Sequence, residues 1–160
     1  QIISLGIASL IILIIMSIVF RSFIGGLLAS LPMSLAVLLI FGLLGNFGIP
    51  LNMTTSLLTC ILVGVGIDYS VHFLWHLREH IRDGDELEQA ISNTLKVSGK
   101  GILFNGISVI VGFSVLMYSV FMPLKAFSVL IMASIGFCLI GGMAILPAMV
   151  SLINPDFIRK

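Results

Sequence analysis

Between Arg21 and Asp68 the chain carries no Asp, Glu, Lys or Arg. A bilayer crossing needs about 20 apolar residues, so this uncharged stretch is long enough for two. Only 9% of all residues are charged and 59% are apolar, with a mean hydropathy of +1.23. Soluble domains carry about 25% charged residues. The chain is therefore an integral membrane protein, and its spans are helical, because hydrocarbon offers the backbone no hydrogen-bond partners. The net charge of +1 says little about partners, and with no basic patch in the sequence no nucleic-acid partner is expected. Cys60 and Cys138 both lie in apolar runs and read as small packing residues rather than a disulfide or metal pair.

Five spans are expected, over residues 2–20, 24–44, 54–77, 101–118 and 124–153. Gly45 to Asn52 is dense in Gly, Pro and Asn and marks a loop. Arg78 to Lys100 is the one sizeable polar segment. Asp85 as N-cap and Glu88 three residues later form a capping-box pattern. Leu87, Ile91 and Leu95 then recur at helical spacing, which predicts a short amphipathic helix over about 85–97 on the membrane surface. No chemistry is assigned to it. Pro32 and Pro147 are expected to kink their helices.

Seven of the eight basic residues fall on one side of this arrangement: Arg21, Arg78, Arg82, Lys96, Lys100, Arg159 and Lys160. Only Lys125 falls on the other. That bias predicts a cytoplasmic carboxyl end and an extracytoplasmic amino end. An odd number of spans starting outside implies an earlier span upstream. With no secretory leader and no initiating Met, the chain reads as a piece of a longer protein.

Asp68 is the residue that points to function. At about 1.5 Å per residue it lies ~18 Å from Ser56 in a core of ~30 Å, close to the midplane. A charge at that depth costs about 3 kcal/mol or more and usually faces a bundle interior on an ion or proton path. Cys60, Gly64, Asp68, His72 and His76 follow at intervals of four and share a face that ends near Glu79 and His80. Tyr69 points about 100° away and could bond a neighbouring helix. Plainer readings stand beside these. A buried Asp can be glue between helices. His72 can be an interfacial anchor, and His72 with His76 has metal spacing but no third ligand to complete a site. Trp75 reads as a membrane-interface anchor.

The fourth span offers Ser98, Gly101, Asn105, Ser108 and Gly112 at helical spacing. Small residues let helices approach, and Asn105 and Ser108 add hydrogen-bonding groups. The expected arrangement sets this face against Asp68, with Asn105 as its partner. Ser134, Cys138 and Gly142 form a small-residue ladder on the fifth span and read as helix packing.

The stretch GVGIDYSVHFLWHLRE, residues 64–79, resembles the fourth-span signature of the RND superfamily. It is most similar to the MMPL-type exporters and their Patched-like, sterol-sensing relatives, in which a Gly-x-x-x-Asp-Tyr motif occurs; Gly64, Asp68 and Tyr69 match it. The segment GKGILFNGISVIVGF and the closing PDFIRK are also similar to the family, so the likeness covers nearly the whole chain. The resemblance implies an all-α polytopic bundle, the last five spans of one six-span half. It implies a proton relay through Asp68 and Tyr69; the residue reading adds His72 to that relay, with Gly64, Asn105 and Ser108 as its supporting face, protons as coupling ion, no cofactor and no metal. Its implied partners are the bilayer, the other half and an extracytoplasmic domain of the parent, a lipid or hydrophobic substrate, and, as an open option, further copies in an oligomer. It places the protein in the bacterial inner membrane. The chain departs from the drug-efflux branch, whose members pair two intramembrane acids with a Lys; here Asp68 stands alone, so a full relay needs the other half.

The expected function is proton-driven export of lipidic or hydrophobic molecules. One rival is a SecD/SecF-type protein-export accessory, which shares an Asp-centred fourth span and which Arg78-Glu79 and Gly84 also resemble. The other is a sterol- or lipid-sensing scaffold that transports nothing. An enzyme is not expected: neither HExxH nor GxSxG occurs, and there is no second intramembrane carboxylate.

Overall fold

The computed structural model describes residues 2–46, 48, 50 and 52–154. PDFIRK, with Arg159 and Lys160 of the charge bias, lies outside the described residues, as do Phe47, Ile49 and Leu51 of the expected loop. Helices α1 (Ile2–Val19), α2 (Phe23–Asn46), α3 (Met53–Arg82) and α4 (Leu87–Ser114) come first. A 3₁₀ turn, Val115–Tyr118, ends the fourth rod. Then α5 (Met122–Ile140), a π-helical turn (Gly141–Ile145) and α6 (Leu146–Ile153) form one continuous rod. No strand occurs among the described residues.

Four rods are long and apolar enough to cross a membrane: Phe23–Asn46, Met53–Arg82, Leu87–Tyr118 and Met122–Ile153. α1 is a shorter apolar helix. The protein is thus a multi-pass, all-α membrane bundle. The amphipathic segment is helical as expected, but it runs without a break into the fourth span rather than standing as a separate element. The N-cap is Glu86, one residue past Asp85, so the helix starts at Leu87, and it has no side-chain cap. Asp85 instead turns its carboxylate to Asn93, whose Nδ2 donates to Oδ2 at 3.0 Å, and to His80 at 3.5 Å. Those contacts, with Gly84 at φ +103°, fix the tight turn between α3 and α4. At the other end of α3, Asn52 Oδ1 accepts from the Thr55 N–H at 3.0 Å and Thr55 Oγ1 accepts from the Asn52 N–H at 2.8 Å. This reciprocal box satisfies two orphan donors at the helix start.

The core is built by α2, α3 and the α5–α6 rod, with Leu28, Met33, Ala36, Ile40, Leu58, Leu62, Phe73, Leu77 and Ile135 fully buried. The three rods meet at Gly66. A Cβ there would lie 3.1 Å from Cys138 Sγ and 3.2 Å from Met33 Cα, so hydrogen is the side chain that lets them close. α1 lies at the edge against α2, touching backbone to backbone: a Cβ on Gly26 would sit 2.8 Å from Ser17 N and 3.0 Å from Leu13 O. Ser134, Cys138 and Gly142, the expected ladder, are all buried.

α4 is the least covered span: only 11% of its most apolar window is buried, against about half of α3. It touches the core through Ala90, Thr94, Ser98, Ile102 and Gly106, spaced four apart. Ser128 Oγ on α5 pins its far end by donating to the Phe113 carbonyl at 2.6 Å, beside an edge-on Phe113–Phe127 ring pair. The many exposed Ile, Leu and Phe residues suit a hydrocarbon surround. The hydrophobic effect does not penalise them there, and close packing holds the helices together. Pro32 sits inside α2. Pro147 has no N–H to give the carbonyl four residues back, and the helix widens into its π turn just before it.

Candidate functional site

α3 has two unlike faces. Leu58, Leu62, Gly66, Tyr69, Phe73 and Leu77 are buried against the core. Cys60, Gly64, Asp68 and His72 are exposed, and His76 is half-buried. The small and polar stripe is therefore the face this bundle leaves uncovered. Asp68 is not buried, contrary to expectation, and Cys60 is not a packing residue within these helices. The physical reason is the helical period. The bulky residues that fill the core sit on the opposite face, so the stripe is carried outward with them.

Asp68 nevertheless faces polar company. It lines a groove of about 390 Å³ between α3 and α4 with Tyr69, His72, His76, Ser98, Gly101 and Asn105. Of the residues assigned to the site from sequence, Asp68, Tyr69, His72 and Asn105 come together there. Gly64 does not line the groove, and a Cβ on it would meet nothing. Ser108 does not line it either; its hydroxyl donates to the Phe104 carbonyl one turn back, at 2.7 Å. Gly112 also faces outward. α4 is rotated relative to the expected arrangement: Ser98 and Ile102 are buried at the groove's inner wall, Gly101 and Asn105 form its exposed edge, and Ser108 and Gly112 turn away from it.

Two buried hydroxyls on this groove, Tyr69 Oη and Ser98 Oγ, have no hydrogen-bond partner. Buried polar atoms are nearly always paired, so each is a donor or acceptor held ready for something outside the described contacts. Tyr69 is held rigidly: it is 1% exposed, and its Cβ would be 3.3 Å from a Cβ on Gly142 in the π turn. π turns often accompany functional sites. Below the groove the polar line continues, with His76 Nδ1 3.2 Å from Glu79 Oε2 at the end of α3. Groove waters, each taking about 30 Å³ as liquid, could bridge Asp68, Tyr69 and Ser98. The arrangement can exchange a proton between a carboxylate, hydroxyls and imidazoles. Among the described residues no group of three His, Cys, Asp or Glu is placed to hold a metal ion.

The likeness to known proteins runs the length of this architecture. The MMPL family matches residues 1–156. The chain belongs to the MMPL family. Among its relatives, the putative membrane protein MJ1562 of Methanocaldococcus jannaschii is 29% identical over 139 residues, 87% of this chain and 36% of that protein. The probable transport protein MmpL12 of Mycobacterium tuberculosis is 26% identical over 145 residues, 88% of this chain and 13% of that protein. The trehalose monomycolate exporter MmpL3 of Mycolicibacterium smegmatis is 26% identical over 133 residues, 79% of this chain and 13% of that protein. This MMPL chain thus spans about a third of the archaeal relative and about an eighth of the mycobacterial ones. No solved structure matches it.

Sequence reasoning missed part of this candidate site. Ser98 was placed on the right face, but its orphaned hydroxyl was not foreseen. The inward row Ala90, Thr94, Ser98, Ile102, Gly106 was present in the sequence at intervals of four. It was eclipsed by the more polar row one residue round the helix.

Proposed function

We propose that this chain is the last five spans of one membrane half of an MMPL-type transporter. In this reading it uses the proton gradient to export lipidic or hydrophobic molecules. The observation that carries the reading is the groove in which Asp68 meets Tyr69, His72, His76 and Asn105, on the one face of α3 that the bundle leaves uncovered. Asp68 is the proton carrier. Tyr69 and Asn105 orient it, and His72, His76 and Glu79 lead protons toward the basic side of the membrane. Gly64 and Ser108, both exposed, serve the approach of the other half rather than the proton itself. One relative is named as an exporter of trehalose monomycolate and another as a probable transport protein, which supports transport, rather than catalysis, of a lipid-like molecule. The seven-to-one bias of basic residues supports a cytoplasmic carboxyl end; a bacterial inner membrane is part of the same proposal.

The test is gradient-driven export in vesicles holding the intact gene product, comparing wild type with Asp68→Asn. Loss of export at normal protein level is the expected result. Undiminished export would reduce Asp68 to helix glue and leave the non-transporting sensor in its place.

A further inference from the structure

A second cavity lies at the far end of α3 from its N-cap, away from the Asp68 groove. It measures about 530 Å³ and is lined by Arg21, Arg78, Arg82, Trp75 and Val19, with Glu79 and Asp83 on its wall. Among the described residues, none of the three arginines has a carboxylate oxygen within 4.0 Å, and none donates to a backbone carbonyl. Glu79 is engaged by His76 instead. Arg78 Nε is buried with no partner at all. Arginine's fork of donors matches phosphate geometry, and a buried N–H of a cation left unpaired is costly. Attraction to the helix C-terminus accounts for basic residues near α3's end. It does not account for three arginines from two separate elements converging on one cavity without touching the helix carbonyls.

The cavity's depth identifies its surroundings. Along α3, Trp75 lies about 10 Å beyond Asp68, and Arg78 and Arg82 lie about 15 and 21 Å beyond it. With Asp68 near the midplane of a core of ~30 Å, the tryptophan falls at the hydrocarbon boundary and the arginines at headgroup level. Arg21 comes from the α1–α2 turn, where its own backbone is held at φ +50°, a conformation non-glycine residues rarely adopt. From Val19 an exposed apolar row, Val19, Ile15 and Ile11, runs up α1 at intervals of four, from the cavity into the membrane. Charge at the headgroup level and an acyl-compatible strip leading inward together describe a bound phospholipid.

We propose that Arg21, Arg78 and Arg82 seat the phosphate of an anionic phospholipid from the leaflet on the basic side of the membrane. Trp75 lies along its glycerol region, and Ile11, Ile15 and Val19 lie along a chain. The site clamps α1 to α3. This matters because α1 otherwise packs chiefly on α2 and reaches α3 hardly at all. The inference is independent of the proton relay.

Native mass spectrometry of the intact gene product in detergent tests it with phosphatidylglycerol as the probe. Wild type should retain phosphatidylglycerol over phosphatidylcholine of the same chains by about fivefold or more, the weight of one basic residue at an anionic surface. Arg21→Gln and Arg82→Gln, both at exposed side chains, should each lower retention by a similar factor. Lys125→Gln, at the opposite end of the bundle, should leave it unchanged. Inorganic phosphate should not displace the lipid. Equal retention by the arginine variants, an equal loss in Lys125→Gln, or no preference over phosphatidylcholine would each overturn the proposal. Displacement by inorganic phosphate would do so too, by making this a free-anion site. Should a Gln variant fail to fold, the wild-type lipid preference and the phosphate competition still decide.

Discussion

Gly64 and Gly66 are two residues apart on the same helix and meet opposite fates. At Gly66 an added Cβ runs into Met33 and Cys138; at Gly64 it meets nothing. The same contrast holds along the whole of α3. Leu58, Leu62, Tyr69, Phe73 and Leu77 are consumed by the bundle, while Cys60, Gly64, Asp68 and His72 are left over. One face of the helix folds this chain and the other does something else. The polar stripe adds nothing to the packing described here, so stability does not explain its Asp and His. A carboxylate retained near mid-membrane at a cost of about 3 kcal/mol asks for a use.

The comparison is most sharply broken by exchanging what each face tolerates. Gly66→Leu should destabilise the bundle by about 1–3 kcal/mol or more through overpacking against a backbone atom. It should appear as loss of monodisperse protein in detergent, with transport lost as a consequence. Asp68→Asn should do the reverse. Thermal stability in detergent should stay within about 0.5 kcal/mol of wild type. Gradient-driven export should fall by roughly 10²-fold or more, the scale of a lost proton-transfer group. Were Asp68→Asn to unfold the protein as Gly66→Leu does, the two-face division would collapse and Asp68 would belong to the core.

Much of this was legible beforehand, for identifiable reasons. The all-α membrane class follows from hydrophobic runs, which hydrocarbon turns into helices with little choice; of the five spans expected, four are long and apolar enough to cross and α1 is a shorter apolar helix. The stripe Cys60–Gly64–Asp68–His72 follows from a period of four that no tertiary contact can alter. The sequence could not show whether that stripe faced inward or outward. A row of small residues with one acid fits an interior and an uncovered interface equally well, and only the placement of Leu62, Phe73 and Leu77 decides. The rotation of α4 was hidden for a related reason. Asn105 and Ser108 are conspicuous, whereas the residues that seat α4, Thr94, Ile102 and Gly106, are individually ordinary. Continuity of α4 through Lys96 and Lys100 was obscured by their charge, because a helix leaving the membrane keeps its hydrogen bonds while its side chains change character.

His72→Phe should sharpen the assignment within the exposed face. His72 lines the groove but is one turn from Asp68 and exposed, with His76 half-buried a turn further on. Water can replace an exposed imidazole as a proton carrier, so export should drop by roughly two- to tenfold, short of the 10²-fold or greater loss of a required transfer group. A loss as deep as that of Asp68→Asn in the same vesicle assay would make His72 an obligatory carrier and restrict the path to the side chains of α3.

The smallest effect is expected at Ser128, which belongs to neither face of α3 but holds α4 alongside it. Its hydroxyl donates to the Phe113 carbonyl across the α4–α5 contact, at 2.6 Å. Interhelical hydrogen bonds in membranes contribute only about 0.6 kcal/mol on average, because the separated helices find other partners. Ser128→Ala should therefore lower stability by about that much and leave the helices in place. The informative readout is the Asp68 groove. α4 has little buried surface to hold it, so freeing its Phe113 end should loosen the Gly101–Asn105 edge before it unfolds anything. A spin label on Gly101→Cys, in a background without Cys60 and Cys138, should report greater mobility in Ser128→Ala than in wild type. Unchanged mobility would mean that the inward row from Ala90 to Gly106 alone fixes α4. The groove's shape would then be set by side-chain packing and not by the hydrogen bond at its distant end.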